Sequence, residues 1–155
     1  MNNKYKNTLE YEGKPYKVRS AIKTFRDLQV YAQTTSLSAD IFWVEIPAGY
    51  KRNDRLKAEL VILNDLSKMV PRLIAESYGD KFNNLDLALQ KLEKTSQVVS
   101  NVVAKLDFFI SAVDDPDFRE KLLGILKKYQ YLRPKILNLK YSWINVFKKG
   151  ENSDR

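Results

Sequence analysis

The stretch FNNLDLALQKLEKTSQVVSNVVAKLDFFISAV, residues 82–113, decides the fold. Alternate steps of three and four residues pick out Phe82, Leu85, Leu89, Leu92, Ser96, Val99, Val103, Leu106, Ile110 and Val113, of which only Ser96 is polar. After Asp114-Asp115-Pro116-Asp117 the same stepping gives Phe118, Leu122, Ile125, Tyr129, Leu132, Ile136, Leu139, Trp143 and Val146. An apolar row repeating about every 3.5 residues belongs to a helix packed lengthwise against its neighbours. Two such rows in succession predict two long helices.

Working towards the N-terminus, residues 54–77 carry Leu56, Leu60, Leu63, Leu66, Val70, Leu73 and Ile74 at helical spacing, with Pro71 as an expected kink. Gly79 is the expected C-terminal cap of this helix, and the next is expected to start near Lys81. A first helix is expected from Thr24, where Thr24-Phe25-Arg26-Asp27 fits a capping box, to Pro47. Its end, Ile41, Phe42, Trp43, Val44 and Ile46, is apolar on every side if helical. Such a helix needs cover on more than one side, so Ile41, Trp43, Val44 and Ile46 are candidate subunit contacts. The last helix is expected to begin with Asp115 as cap and Pro116 in its first turn, and to end near Lys148. Pro134 should kink or divide it. The prediction is an all-α, antiparallel up-down-up-down four-helix bundle over residues 24–149. A basic N-terminal arm (1–23), extended or partly disordered, precedes it, and a disordered tail (150–155) follows.

Composition removes several chemistries. The chain of 155 residues has no Cys and no His. Disulfides, thiolate chemistry, His general-base catalysis, His-ligated haem and Glu-x-x-His di-iron sites are all excluded. No convergent acidic set suggests a metal, no cofactor is expected, and no catalytic residue stands out. No apolar run is long enough for a bilayer, and no signal-peptide pattern opens the chain, so a cytoplasmic protein without membrane contact is expected.

Charge is unevenly spread. Residues 1–26 hold seven Lys or Arg against two acids, residues 27–126 twelve against fifteen, and residues 127–155 eight against two. In an up-down-up-down bundle the two basic ends meet at one end of the molecule. Lys14, Lys17 and Arg19 from the arm, with Lys127, Lys128, Arg133, Lys135, Lys140, Lys148 and Lys149 from the last helix, are candidate phosphate contacts for RNA or DNA. Tyr131 and Tyr141 are candidate stacking residues; Tyr129 and Trp143 interleave with the same cations but fall on the core row. A solvated basic face, or one that docks an acidic protein, is the competing interpretation.

Two segments carry a family resemblance. Phe25-Arg26-Asp27-Leu28-Gln29-Val30-Tyr31 resembles the first-helix opening of the four-helix-bundle proteins encoded within ribosomal RNA intervening sequences. Val70-Pro71-Arg72-Leu73-Ile74-Ala75-Glu76-Ser77-Tyr78-Gly79 resembles their second helix, usually Ile-Pro-x-Asn-Ile-Ala-Glu-Gly; here Leu73 replaces the Asn and Ser77 the Gly. The accessory variability protein of diversity-generating retroelements belongs to the same superfamily. The resemblance implies a non-enzymatic homo-oligomer, typically a pentamer, associated with nucleic acid and, in the retroelement branch, with a reverse transcriptase.

Overall fold

A computed structural model describes residues 24–25 and 28–153, the last three by backbone alone. The arm with Lys14, Lys17 and Arg19 lies outside the described residues. Among the described residues four α-helices follow one another: α1 (Gln29–Phe42), α2 (Asp54–Asp80), α3 (Leu85–Ala112) and α4 (Pro116–Ser153), with a 3-10 turn at Ala48–Tyr50. Each helix packs on the next, and α4 closes back on α1. This is the antiparallel four-helix bundle that the apolar rows predict, and no strand occurs among the described residues.

Side-chain caps fix three of the four helix starts. Asn53 Oδ1 accepts from the Leu56 N–H, and Asn84 Oδ1 from that of Leu87, each at 3.1 Å. Asp115 Oδ1 accepts from the Phe118 N–H at 2.8 Å, so Asp115 and Pro116 open α4 as expected. The start of α1 differs from expectation. Leu28 is extended and buried, its N–H bonds to the Phe25 carbonyl, and the helix begins only at Gln29. Leu28 is drawn into the core by its apolar side chain, and the helix starts after it.

The end of α1 also differs. The helix stops at Phe42, and the chain turns at Trp43 and continues without regular structure, with Val44 and Ile46 buried and Glu45 exposed. A short apolar run does not reveal its own period, and here the period is two. Gly79 lies inside α2, which continues to Asp80; residues 81–84 form a turn, so Phe82 is exposed rather than the first residue of the seam.

The core repeat of α3 is rotated from the expected row. Leu92, Val99, Leu106 and Val113 are buried as expected, but their companions are Ala88, Thr95, Val102 and Phe109. Leu89, Ser96, Val103 and Ile110 are only half-buried. The lone polar core residue of this helix is therefore Thr95, whose hydroxyl donates to the Lys91 carbonyl at 2.7 Å. The rotation turns α3 towards α2, its most extensive partner. The α4 row is buried as expected from Phe118 to Trp143, apart from half-buried Leu139, and gives out at exposed Val146.

α4 is not divided at Pro134 and runs past Lys148 to Ser153, about 57 Å in all. Pro134 faces solvent, so the Gln130 carbonyl that it deprives of a donor turns to water. Pro71 is likewise absorbed within α2. The buried hydroxyls of Thr34, Ser67 and Ser77 each donate to a carbonyl of their own helix at 2.6–2.9 Å, which satisfies them without spacing the helices apart. No helix among the described residues is long and apolar enough to cross a membrane.

Candidate nucleic-acid interface

The basic surface comes from the outer faces of α4. Between Lys121 and Gly150 the chain holds eight Lys or Arg and no Asp or Glu. Lys127, Lys128, Arg133 and Lys135 are exposed, Lys140 is half-buried, and Lys148 and Lys149 occupy the exposed end. None of the ion pairs among the described residues engages Lys127, Lys128, Arg133, Lys135 or Lys140. By contrast, α2 and α3 neutralise each other. Lys91 bridges Asp80 at 2.5 Å and Glu76 at 3.5 Å, and Lys105 pairs with Glu59.

The α4 cations do not form one stripe. At about 100° per residue, Lys128, Tyr131 and Lys135 share the flank next to α1. Lys127 and Tyr141 point outward, and Arg133 and Lys140 fall on the flank next to α3. Tyr131 and Tyr141 are 70% and 54% exposed, while Tyr129 and Trp143 are buried, as the core row requires.

The α1 flank forms a groove of about 530 Å³. Gln33, Ser36, Leu37 and Asp40 line it from α1, and Lys128, Tyr131, Leu132, Pro134 and Lys135 from α4. Leu37 and Leu132 are buried and make its floor. At one end the Lys135 ammonium donates to Gln33 Oε1 at 2.8 Å. Antiparallel helices then place Asp40 and Lys128 at the other end. The groove exists because α1 and α4 make the sparsest of the four helix-helix contacts. Behind it the Tyr129 hydroxyl is buried without a hydrogen-bond partner among the described residues. Burial, and then the negative charge of Asp40, push its pKa above the usual tyrosine value. Gln33, Ser36 and Asp40 did not stand out in the sequence. Their signal was polar residues at positions i, i+3 and i+7 of α1, which taken alone describes any solvated helix face.

Of the four candidate subunit contacts, Ile41, Val44 and Ile46 are buried within the chain's own core. Trp43 is 72% exposed, with Phe42 edge-on to it at 5.0 Å. These two rings are what the run leaves available to another molecule.

A second cluster closes the opposite end of the bundle. The Lys81 ammonium lies 4.3 Å from the Tyr78 ring centroid, 5.0 Å from that of Phe82 and 5.1 Å from that of Trp143. Burial lowers the Lys81 pKa, while the ring faces favour its charge. The cage ties the α2–α3 turn to α4. At the α1–α2 end the corresponding clamp is polar. Arg119 Nε donates to the carbonyls of Ile110 and Val113 at 2.9 Å each, and the Asp114 N–H donates to the Tyr50 hydroxyl at 3.0 Å.

No group of three or more Asp or Glu among the described residues is placed to hold a metal ion. No family model, curated protein or solved structure matches the chain.

Proposed function

We propose that the protein is a non-enzymatic scaffold that binds nucleic acid along α4 and works as a homo-oligomer alongside a reverse transcriptase. One observation carries the nucleic-acid part: a long run of α4 cations with no carboxylate among them, and Lys127, Lys128, Arg133, Lys135 and Lys140 without ion pairs among the described residues. Unneutralised cations along one helix suit a phosphate backbone. Exposed Tyr131 and Tyr141 favour nucleic acid over an acidic protein, because rings between cations stack on unpaired bases. Self-association is supported by the exposed Phe42 and Trp43 rings. The pentamer and the reverse-transcriptase partner rest on the family resemblance alone.

Anisotropy titrations with labelled single-stranded and duplex RNA and DNA test this reading. Log affinity should fall linearly with log salt, and each phosphate-contacting Lys→Ala change should reduce the slope by about 0.7–0.9. Lys127, Lys128 and Lys135 should show this loss, and Lys91 and Lys94 should not. Absence of binding at about 50 mM salt would leave an acidic-protein dock as the better account. For assembly, light scattering should give a mass several times 18.1 kDa, and Trp43→Glu should reduce it with helix content intact. A monomer at all concentrations would remove the oligomer.

A further inference from the structure

We infer that the α1–α4 groove is a single-nucleotide pocket that selects bases carrying an exocyclic amino group. The inference rests on the nucleic-acid reading and adds where a base sits and which bases fit. The groove is the place where the α4 cations meet a wall able to read hydrogen bonds. At about 530 Å³ it lies within the ordinary range of small-ligand sites. Buried Leu37 and Leu132 give it an apolar floor, and Tyr131, 70% exposed, supplies a ring for stacking. Lys128 and Lys135 stand two turns apart, about 10 Å along α4, on long flexible stems. They bracket the ring and reach the phosphates on either side of one nucleotide.

Asp40 supplies the selectivity. It is the one acid lining a groove with two Lys, and it makes no ion pair among the described residues. A carboxylate only accepts hydrogen bonds. Adenine, cytosine and guanine offer it an amino group; uracil and thymine offer only N3–H, flanked on both sides by carbonyl oxygens that a carboxylate repels, and so bind it less well. Gln33, at the other end, accepts from Lys135 through its Oε1 and keeps its amide N–H groups, which meet an acceptor on any base, so it does not discriminate. The occupant is therefore a single-stranded segment whose seated base is A, C or G.

The experiment is an anisotropy titration of the intact chain with labelled single-stranded homopolymers of A, C and U, as ribo- and deoxyribo-oligomers, with T replacing U in the latter. Oligo(A) and oligo(C) should bind at least several-fold more tightly than oligo(U) or oligo(T). Tyr131→Ala should weaken oligo(A) about five- to a hundred-fold, the range for loss of one stacked base. Asp40→Asn adds donors, so it should raise affinity for oligo(U) and erase the preference. Tyr131 and Asp40 are both exposed, and circular dichroism of each variant confirms that the bundle is intact. Salt-sensitive binding that ignores base identity, Tyr131→Ala and Asp40→Asn overturns the pocket and leaves the α4 surface reading standing. Binding to none of the oligomers overturns both.

Discussion

α3 and α4 carry the same kind of apolar repeat on their inner faces, but the outer face of α3 is balanced in charge and that of α4 is basic. α3 holds three acidic and three basic residues along its length, and two of the cations, Lys91 and Lys105, are locked onto α2 carboxylates. Between Lys121 and Gly150, α4 has cations only. The contrast shows that the repeat builds the bundle and says nothing about use. The residues between the repeats divide a structural pair of helices, α2 and α3, from a helix whose charge is left for another molecule.

The deepest cut at that comparison is in the shared core. Leu106 in α3 and Leu132 in α4 are equally buried, so Leu106→Ala and Leu132→Ala should each lower unfolding free energy by about 2–5 kcal/mol in urea titrations. Leu89→Ala should cost clearly less, since Leu89 sits on the half-buried edge of α3. Equal losses at Leu89 and Leu106 would break the rotated register.

Tyr129 gives a smaller and pH-dependent difference. Its buried hydroxyl is unpartnered, so Tyr129→Phe should be neutral or stabilising by up to about 1 kcal/mol at neutral pH. The folded phenol is held above the usual value of 10.0, so the folded state disfavours its ionisation. The stability it contributes is complete below pH 10 and is lost as pH climbs towards the raised value. Denaturation series above pH 10 should show a steeper decline for wild type than for Tyr129→Phe. Matching slopes would mean that the α4 hydroxyl is solvated.

The smallest effect belongs to the α3 ion pair. A hydrogen bond from Lys91 to Asp80, helped by the charges of Asp80 and Glu76, raises the Lys91 pKa above 10.5. That stability is present below pH 10.5 and fades as pH passes the raised value. Lys91→Met should therefore lose slightly less stability than wild type as pH rises above 10.5, and should be only mildly destabilised at pH 7, as befits a half-buried pair at the bundle surface. A large loss at pH 7 would show that the α2–α3 pairing is more than a surface arrangement.

The sequence made the bundle legible because α4 satisfies one period from Phe118 to Trp143. It misplaced half of the α3 row because apolar residues stand on both sides of Leu92, Val99 and Leu106. Leu89 and Val103 fit the repeat as well as Ala88 and Val102 do, and only packing against α2 chooses between them. The cations and the exposed tyrosines were legible on α4. The acid that faces them was not, because Asp40 lies roughly ninety residues away in the chain. The Lys81 cage was hidden for the same reason: Trp143 joins Tyr78 and Phe82 only when α4 returns along α3 to the α2–α3 turn.

The two tryptophans sit at opposite ends of the bundle in opposite surroundings. Trp43 stands in water beside Phe42, and Trp143 is enclosed with a lysine on its face. Intrinsic fluorescence thus carries two separable channels without any label. A soluble quencher extinguishes the Trp43 emission first, and the residual, bluer light comes from Trp143. Assembly through the Phe42–Trp43 patch would shield the first channel and leave the second alone. Loosening of the α2–α3 turn would red-shift the second without touching the first. The molecule reports, in its own light, which of its ends has been engaged.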